Sequence, residues 1–408
     1  MSTPPRDLPV VVLSGGVTAL GVLRAFGRRG IRTFVHPDTR EYIRYSRWYK
    51  PLIAQERGNI SPRPDLPALV EALQRSGLQS GFLCACSDDW NRAVAEYAET
   101  SRSNGDKHFL SVVPSRAALD RLQDKGRLAE LLEELKVPMP LTRRIVDRAD
   151  VEHLPPTTDT FWFLKPTDSQ RFLAHFGTKG MRVRDADEAR ARLDQILAAN
   201  MEVVLQEYIP GSFTEHYFID GYADRDGAIR SLFARRRLRI YPPDFGNSTA
   251  MVSIALGDMR QAEDSVRRVL GAVGYRGIFS AEFKRDPRDG LYKLLEVNTR
   301  PWWFIDFAVR CGVDVCSMAY EDSQGLPVQD VREYRVGATC VFPYYDFFAM
   351  QPLRRAGQLS WGAWWAELLP ALQPVGCWDD PLPGIVGFTR VMRSATRNRI
   401  RRSPAAPR

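Results

Sequence analysis

Residues 278–303 read IFSAEFKRDPRDGLYKLLEVNTRPWW, and this stretch decides the fold. Two β-like runs, 278–285 and 291–299, flank a short segment of Pro, Asp and Gly. Runs rich in aromatic and aliphatic residues on either side of such a turn predict a β-hairpin. The two strands of a hairpin are adjacent, so polar side chains on one face of the pair come together.

Three polar side chains share one face of this hairpin. Glu296 and Asn298 are two residues apart on one strand and therefore project from the same side. With a turn of five residues, Glu282 faces Leu294 and lies on that same side. Two carboxylates and an amide oxygen suit Mg²⁺, and Arg300 directly after them suggests a phosphate or carboxylate ligand. On these residues alone, a solvated hairpin face remains the alternative.

The composition predicts a soluble globular protein. Its 408 residues are enough for two or three domains with large cores, and 44% of them are hydrophobic and 26% charged. No apolar run approaches a membrane span, and the first residues lack the layout of a signal peptide. Six cysteines without a CxxC pair and five histidines without HExxH favour reduced thiols and argue against a zinc hydrolase. We therefore expect a cytoplasmic protein.

The net charge of +8 has a local origin. No acidic residue follows Asp380, whereas seven arginines do. These arginines are Arg390, Arg393, Arg397, Arg399, Arg401, Arg402 and Arg408. Because the rest of the chain is nearly neutral, the basicity does not indicate a nucleic-acid-binding fold, and no nucleic-acid partner is expected.

A tryptophan-rich segment precedes these arginines. Trp361, Trp364, Trp365 and Leu368 recur at helical spacing, and tryptophan combined with arginine suits a helix that lies on a membrane surface. The favoured alternative is a C-terminal cap whose aromatic side chains pack against the rest of the protein, because Pro370 ends the helix early.

The N-terminal part of the chain has an alternating β and α pattern. An apolar run over 8–14, a glycine pair, a helical segment and a second apolar run over 31–36 predict a Rossmann-like opening. Neither GxGxxG nor GxxxxGK[ST] is present, so no dinucleotide is expected. A third strand is predicted over 81–87, and ligands of open α/β sheets lie beyond the carboxyl ends of strands. Residues 14–16 and 87–89 are therefore candidate substrate loops.

Four segments, read in order, resemble the ATP-grasp superfamily, and specifically its carboxylate–amine ligases. The likeness extends over roughly residues 8–320. The segments are QDKGRLAELLEELKVPMP (123–140), FWFLKPTDSQRFLAHFGTKG (161–180), VVLQEYIPGSFTEHYF (203–218) and LLEVNTRPWW (294–303).

The resemblance implies an α/β chain that is α+β in its ATP-grasp lobes. A Rossmann-like domain would occupy 1–114, and a two-lobed ATP-grasp domain 115–330, with its hinge near 206–210. A helical, aromatic-rich extension with a basic, disordered tail would follow over 331–408.

Two lysines are implied to contact the phosphates of ATP. Lys125 would lie on a single helix that starts at the predicted N-cap Ser115 and runs to Leu135. Lys165 would lie on the strand that begins the second segment. Two point charges from different elements suit two different phosphates.

A mobile loop is implied to close over those phosphates. Gly177 and Gly180 give it freedom, and Lys179 would contact the γ-phosphate. This loop has only two glycines, where the family often has more.

The hinge is implied to hold the nucleoside. Gln206, Glu207, Tyr208 and Ile209 would present polar groups, mainly of the backbone, to the adenine edge. Glu215 follows at a distance that suits the ribose hydroxyls.

The hairpin is then implied to be the metal and phosphoryl site. Two Mg²⁺ ions, for which Mn²⁺ can substitute, would be held by Glu282, Glu296 and Asn298. Arg300 would stabilise the transferred phosphoryl group or the acylphosphate. One of Arg235 and Arg237, which share a strand face, would enter the site, the alternative being that both lie on a solvated face.

The implied function is ADP-forming amide ligation of a small-molecule carboxylate and amine, with an amino acid or peptide-like substrate. The carboxylate attacks the γ-phosphate of ATP, and the amine then displaces phosphate from the acylphosphate. Catalysis would consist of positioning and charge stabilisation. The alternatives are a carboxylase or carbamoyl-type enzyme, for which no biotinyl attachment motif or glutaminase arrangement is visible, and a non-catalytic nucleotide-binding module. A homodimer is compatible with the sequence.

Overall fold

The structure is a computed structural model. It describes residues 7–37, 39, 41–53, 64–105, 108–145, 150, 161–166, 172, 175–178, 180–243 and 246–391.

The N-terminal part of the chain folds around a four-stranded parallel sheet in the order β2-β1-β3-β4. Its strands are β1 (Val10–Leu13), β2 (Thr33–His36), β3 (Gly81–Ala85) and β4 (Phe109–Leu110). Its helices are α1 (Gly16–Arg28), α2 (Leu66–Ser76) and α3 (Asp88–Asn104). Every residue of β1 is buried, as is usual for a parallel strand with helices on both faces. The predicted Rossmann-like opening is confirmed.

Two short helices lead into the next sheet. The sequence predicted one helix from the N-cap Ser115, but the structure has α4 (Arg116–Gln123) and α5 (Lys125–Glu134). Asp124 causes the break because its extended backbone ends α4, while its carboxylate accepts a hydrogen bond from the amide of Arg127 and caps α5. Lys125 therefore stands at the start of a helix and not on the side of one.

A four-stranded antiparallel sheet forms the smaller of two lobes, in the order β5-β8-β6-β7. Its strands are β5 (Thr142–Ile145), β6 (Trp162–Pro166), β7 (Met181–Val183) and β8 (Val203–Glu207). The helix α6 (Ala186–Ala198) covers one face with Ala189, Leu193 and Ile196.

The larger lobe is a six-stranded antiparallel sheet in the order β13-β12-β9-β10-β11-β14. Its strands are β9 (His216–Ala223), β10 (Ile229–Tyr241), β11 (Asn247–Ser253), β12 (Gly277–Arg285), β13 (Tyr292–Asn298) and β14 (Thr339–Val341). Three helices, α7 (Arg260–Ala272), α8 (Ile305–Arg310) and α9 (Val315–Ser323), pack on this sheet or between it and the N-terminal sheet.

The predicted hairpin is present as β12 and β13, but its predicted register is wrong. Phe283 pairs with Leu294, whereas the prediction paired Glu282 with Leu294. A β-bulge at Leu295 then shifts the ladder by one residue, so that Glu282 pairs directly with Glu296. The two carboxylates consequently lie on the same face, as predicted.

The C-terminal part packs back onto both earlier parts of the chain. It contains α10 (Pro343–Arg355), α11 (Trp361–Leu368) and a helix over residues 382–391, called α12 here. The buried Asp346 accepts hydrogen bonds from Arg239 and Trp364, which fixes α10 and α11 to the large sheet. Trp364 and Leu368 are buried, as a cap requires, but Trp361 and Trp365 are exposed.

One hydrophobic core joins the N-terminal sheet, the larger lobe and the C-terminal part. Val12, Phe82, Phe233, Ile305 and Phe342 belong to the same buried cluster. The predicted domain boundaries at 114 and 330 therefore stay predictions, and the predicted tail lies mostly outside the described residues. In the part of the chain that the structure describes, no helix combines the length and apolar content needed to cross a membrane.

Candidate active site

Two cavities meet on the face of the large sheet. The smaller, of about 310 Å³, lies between the two lobes, and the larger, of about 810 Å³, extends towards the N-terminal sheet and its helices. The residues that line both are Lys125, Arg237, Gly246, Glu282 and Glu296. Charged groups are therefore concentrated where the cavities join.

The smaller cavity has the walls of a slot for a flat ring. Phe163, Tyr208, Ile209, Ile240 and Leu295 line it. The ring of Tyr208 stacks on Phe161 with centroids 4.3 Å apart, which holds it in place. Apolar walls with a few polar groups are typical of small-molecule sites.

The hinge offers one free amide. The N–H of Glu207 donates to Leu141 and that of Tyr208 to Phe161, so the sheet uses both. Among the described residues, the N–H of Ile209 has no hydrogen-bond partner. Its carbonyl accepts from the Nζ of Lys284 at 2.6 Å. Of the hinge amides of Glu207, Tyr208 and Ile209, only that of Ile209 is therefore available to the adenine edge, and the predicted contacts of the hinge carbonyls stay a prediction.

Lys125 and Lys165 both line the smaller cavity, as predicted for phosphate contacts. The Nζ of Lys125 donates to the carbonyl of Pro166 at 2.8 Å, and that of Lys165 to the Oε1 of Gln206 at 2.5 Å. Burial, together with the charge of Lys125, lowers the pKa of Lys165, although Glu296 and Glu282 act in the opposite direction. The side chain of Gln206 thus orients Lys165, and the predicted contact of Gln206 with adenine stays a prediction.

The carboxylates of Glu282 and Glu296 face each other across β12 and β13. Direct cross-strand partners have Cβ atoms about 5 Å apart. Burial alone would raise the pKa of Glu282, but the hydrogen bond from His216 and the charge of Arg237 outweigh it and hold the pKa near 2. Desolvation within the cleft, together with the charge of Glu282, raises the pKa of Glu296, although solvent still reaches this side chain.

This arrangement fits a divalent cation that also binds a ligand. Asn298 donates to Glu296 at 3.0 Å, and its own oxygen accepts from Arg300 at 3.4 Å. No group of three or more His, Cys, Asp or Glu suited to a metal occurs among the described residues. Two carboxylates and an amide leave most of an octahedral shell to waters and phosphate oxygens, which is how Mg²⁺ is usually held.

Arg237 and Arg235 both line the larger cavity, so the alternative of a solvated face is not supported. Arg237 lies 3.3 Å from Glu282 and donates to Ser248 at 2.8 Å. Arg235 instead forms a buried pair with Asp220, at 2.5 and 3.2 Å, so its charge is already balanced. Of the two, Arg237 is the one placed to act on a ligand.

Arg300 connects the hairpin to the N-terminal helix α3 through Asp88. Its guanidinium pairs with both carboxylate oxygens of Asp88, at 3.0 and 3.2 Å. The predicted substrate loop 87–89 therefore lines the larger cavity, whereas residues 14–16 do not. The residue closest in sequence to 14–16 that does line the larger cavity is Thr18, in the first turn of α1.

The remaining predicted site residues are less well placed. Gly180 lines the smaller cavity and lies against β6, where a Cβ would meet the carbonyl of Leu164 at 3.2 Å, whereas Gly177 does not line it. Lys179 lies outside the described residues. Glu215 lines neither cavity, and its carboxylate lies 3.6 Å from Arg236, so its ribose contact stays a prediction.

Sequence reasoning missed two ionisable residues that line the smaller cavity, His216 and Lys284. The Nδ1 of His216 donates to Glu282 at 3.0 Å, because an ionised carboxylate can only accept a hydrogen bond. Burial and the charge of Arg237 lower the pKa of His216 to about 4, so its ring is neutral near pH 7. Lys284 lies under the hinge with its Nζ 4.3 Å from the ring centre of Tyr208. Because side chains alternate along β12, Lys284 lies on the same face as Glu282. That alternation is the signal by which the sequence could have identified Lys284.

The chain resembles an amino-acid ligase in sequence. It is 25% identical over 252 residues to the D-aspartate ligase of Enterococcus faecium (strain Aus0004), in an alignment that covers 59% of this chain. The alignment spans 58% of the relative, which is somewhat more than half of its length. No protein-family model matches the chain.

Solved structures of low sequence identity share its fold. N5-carboxyaminoimidazole synthetase from Staphylococcus aureus superimposes with a TM-score of 0.59 and 13% identity, over 81% of this chain and 80% of that one. L-amino acid ligase from Bacillus licheniformis gives 0.58 and 14%, over 81% and 78%. Carboxyaminoimidazole ribonucleotide synthase from Aspergillus clavatus, complexed with ATP, gives 0.59 and 14%, over 82% and 81%.

Proposed function

From the ATP-grasp fold that these comparisons confirm, we propose that this chain is an ATP-dependent, ADP-forming ligase that joins a carboxylate to an amine through an acylphosphate. The observation that carries the proposal is the junction of the two cavities at Lys125, Arg237, Glu282 and Glu296. A nucleotide in the smaller cavity would present its γ-phosphate there, and the larger cavity has room for both other substrates.

The smaller cavity is proposed as the ATP site. The free N–H of Ile209 would donate to the adenine edge, with Tyr208 and Phe163 along the ring. Lys165 and Lys125 would contact the phosphates, and Lys179 is proposed to join them from the loop. Glu282, Glu296 and Asn298 would hold Mg²⁺, which when bound neutralises charge on the β and γ oxygens.

The larger cavity is proposed as the site of the chemistry. A carboxylate oxygen attacks the γ-phosphorus, the bond to the bridging oxygen breaks, and ADP leaves. The amine then forms a bond to the carbonyl carbon of the acylphosphate. The bond from that carbon to the phosphate oxygen breaks, phosphate leaves with its electron pair, and the nitrogen loses a proton. Arg237 and Arg300, which line this cavity, are proposed to bind the anionic groups of both steps.

Amino acids or peptide-like molecules are the proposed substrate class. The larger cavity combines guanidinium groups with the carboxylates of Asp88 and Asp89, so it offers partners to a substrate carboxylate and to an ammonium group alike. The relatives named a D-aspartate ligase and an L-amino acid ligase favour the same class.

The test is Mg²⁺-dependent ADP release with pooled amino acids and small carboxylates. Glu296→Ala should abolish release that depends on the pool, whereas Glu71→Ala, which changes an exposed glutamate of α2, should leave it intact. Release without any pool, or release that survives Glu296→Ala, would contradict the proposal. Tight ATP binding without release on any pool would support the non-catalytic nucleotide-binding module instead.

A carboxylase is the second candidate, because the neighbours include N5-carboxyaminoimidazole synthetase and a biotin carboxylase from Campylobacter jejuni. Bicarbonate would then replace the organic carboxylate. ADP release that requires bicarbonate and is unaffected by the removal of amino acids would select this function.

A cytoplasmic location is part of the proposal. All six cysteines are free, and five of them are buried. Thiols in this state suit a reducing compartment that also supplies ATP. No nucleic-acid partner is proposed, and a homodimer stays a prediction.

A further inference from the structure

The helix α12 presents large apolar side chains to solvent. Leu382, Ile385 and Phe388 are 54%, 57% and 48% exposed. Their spacing of three residues puts them along one side of the helix. A surface helix normally turns such a side towards the core, so this orientation requires an explanation.

Close packing of the opposite side explains it. The side that faces the protein carries Gly384 and Gly387. A Cβ at Gly384 would lie 2.9 Å from the backbone of Gly376, and one at Gly387 would lie 3.1 Å from the ring of Tyr344. The hydroxyl of Tyr344 also donates to the carbonyl of Gly384. A side chain at Gly384 would collide with the backbone, and one at Gly387 would have to displace the ring of Tyr344, so the apolar residues of α12 lie on the opposite, outward side.

The segment before α12 is anchored and adds a further aromatic residue. Trp378 is 99% exposed. Next to it, the buried Arg24 of α1 binds the carboxylate of Asp380 at 3.0 Å, and Arg28 binds Asp379 at 2.8 Å. The exposure of Trp378 is therefore built into the fold and is not a consequence of a frayed end.

The charge of the following residues is uniformly positive. Seven arginines occur from Arg390 to Arg408, and no acidic residue follows Asp380. Residues after 391 lie outside the described part of the chain, and the only property of them that the proposal uses is their charge. Two copies of the chain that met through α12 would bring these arginines together, which is unfavourable. An anionic surface would be attracted to them instead.

We propose that Trp378, Leu382, Ile385 and Phe388, called the apolar patch, dock the protein reversibly on an anionic lipid membrane together with the arginines that follow. Aromatic and aliphatic side chains enter the interface between headgroups and acyl chains, and arginines bind anionic headgroups. This surface differs from the α11 segment that the sequence had suggested, in which Trp364 and Leu368 are buried. The proposal does not depend on the ligase function.

Vesicle flotation of the full chain tests the proposal. Vesicles of phosphatidylcholine and phosphatidylglycerol in equal parts should bind at least about tenfold more protein than vesicles of phosphatidylcholine alone, and added salt should reduce that binding. A patch variant, Leu382→Ser with Ile385→Ser and Phe388→Ser, should lose about tenfold or more. An arginine variant should do the same, with glutamine at Arg397, Arg399, Arg401 and Arg402.

The matched control replaces exposed apolar side chains elsewhere, as Leu291→Ser with Val336→Ser, and should bind as the unchanged chain does. Unaltered thermal unfolding of all variants would exclude misfolding as the cause. Equal binding to neutral and anionic vesicles, or undiminished binding of either variant, would overturn the proposal. A different result would also overturn it: light scattering shows that the unchanged chain is a dimer and the patch variant a monomer, while the unchanged chain does not bind vesicles. The apolar patch would then be an interface between copies.

Discussion

Replacement of Lys284 by methionine tests how the nucleotide slot is held together. The Nζ of Lys284 donates to the carbonyls of Ile209 and Gly211, at 2.6 and 3.4 Å, and the residue is only 3% exposed. It thereby fixes the backbone that carries the free amide of Ile209. Burial and the charge of Arg237 lower its pKa to about 8, although Asp286 and Glu215 oppose this shift.

The magnitude follows from that pKa. The shift from 10.5 to about 8 means that a charged Lys284 costs the folded state about 3 kcal/mol. Methionine removes this cost but leaves the buried carbonyl of Ile209 without its donor, which costs about 1 to 3 kcal/mol. We therefore expect Lys284→Met to change the free energy of unfolding at pH 7 by little. ATP affinity has no such compensation and should fall by about tenfold, since the Ile209 backbone is released.

Calorimetric titration with ATP at pH 7 measures this effect. Lys293→Met is the matched control, because Lys293 pairs with Lys284 across the hairpin but binds Asp289 at the turn. Above pH 8 the folded protein releases the proton of Lys284, while the unfolded chain keeps it up to about pH 10.5. The free energy of unfolding of the unchanged protein, minus that of Lys284→Met, should therefore rise with pH across that window. Unchanged ATP affinity together with a flat difference would refute the reasoning.

Three further changes have distinct expected results. Glu296→Gln should abolish Mg²⁺-dependent ADP release and yet raise the melting temperature of the ligand-free protein near neutral pH. The reason is that it removes a carboxyl group whose raised pKa makes its ionised form unfavourable. A lower melting temperature of the variant would contradict this. Asp88→Asn should raise the KM of the carboxylate or amine substrate and leave that of ATP unchanged in steady-state kinetics, since Asp88 pairs with Arg300 in the larger cavity. Asp346→Ala should lower the free energy of unfolding by about 3 to 5 kcal/mol in urea titrations, because the buried Arg239 then loses one of its carboxylate partners. The control Asp289→Ala, at an exposed turn, should lower it far less.

Much of the site was predictable because its chemistry is local in sequence. Glu282 and Glu296 follow from the alternation of side chains on a hairpin, whereas Lys125 and Lys165 were implied by the resemblance of four segments to the ATP-grasp superfamily. The order of those segments implied that the four residues meet, and the structure places Lys125, Glu282 and Glu296 where the two cavities join, with Lys165 in the smaller cavity beside them. The smaller lobe and the large antiparallel sheet followed from the same order.

Other features depend on contacts between distant segments. No local pattern tells that Asp220 balances Arg235 or that Asp88 reaches Arg300, which is 212 positions later. The pairing of Arg24 with Asp380 likewise joins the two ends of the described chain. Such pairs decide which arginine remains available to a ligand, so a list of candidate cations from the sequence is necessarily longer than the set that acts.

The hairpin shows that a correct face does not require a correct register. A regular ladder continued from Phe283 and Leu294 would pair Glu282 with Leu295 and turn Glu296 to the opposite side. The predicted turn was one residue shorter than the true one, an error that by itself would move Glu296 to the other face of the hairpin. The extra residue of the bulge, Leu295, moves Glu296 back to the face of Glu282. The burial of β13 shows the bulge, because its buried residues Leu294 and Val297 are three positions apart, where a regular strand requires an even spacing. The sequence does not reveal it, because Leu295 and Val297 offer an even spacing as well. The pairing of two carboxylates thus rests on one irregular residue, and strand irregularities of this kind are common beside active sites.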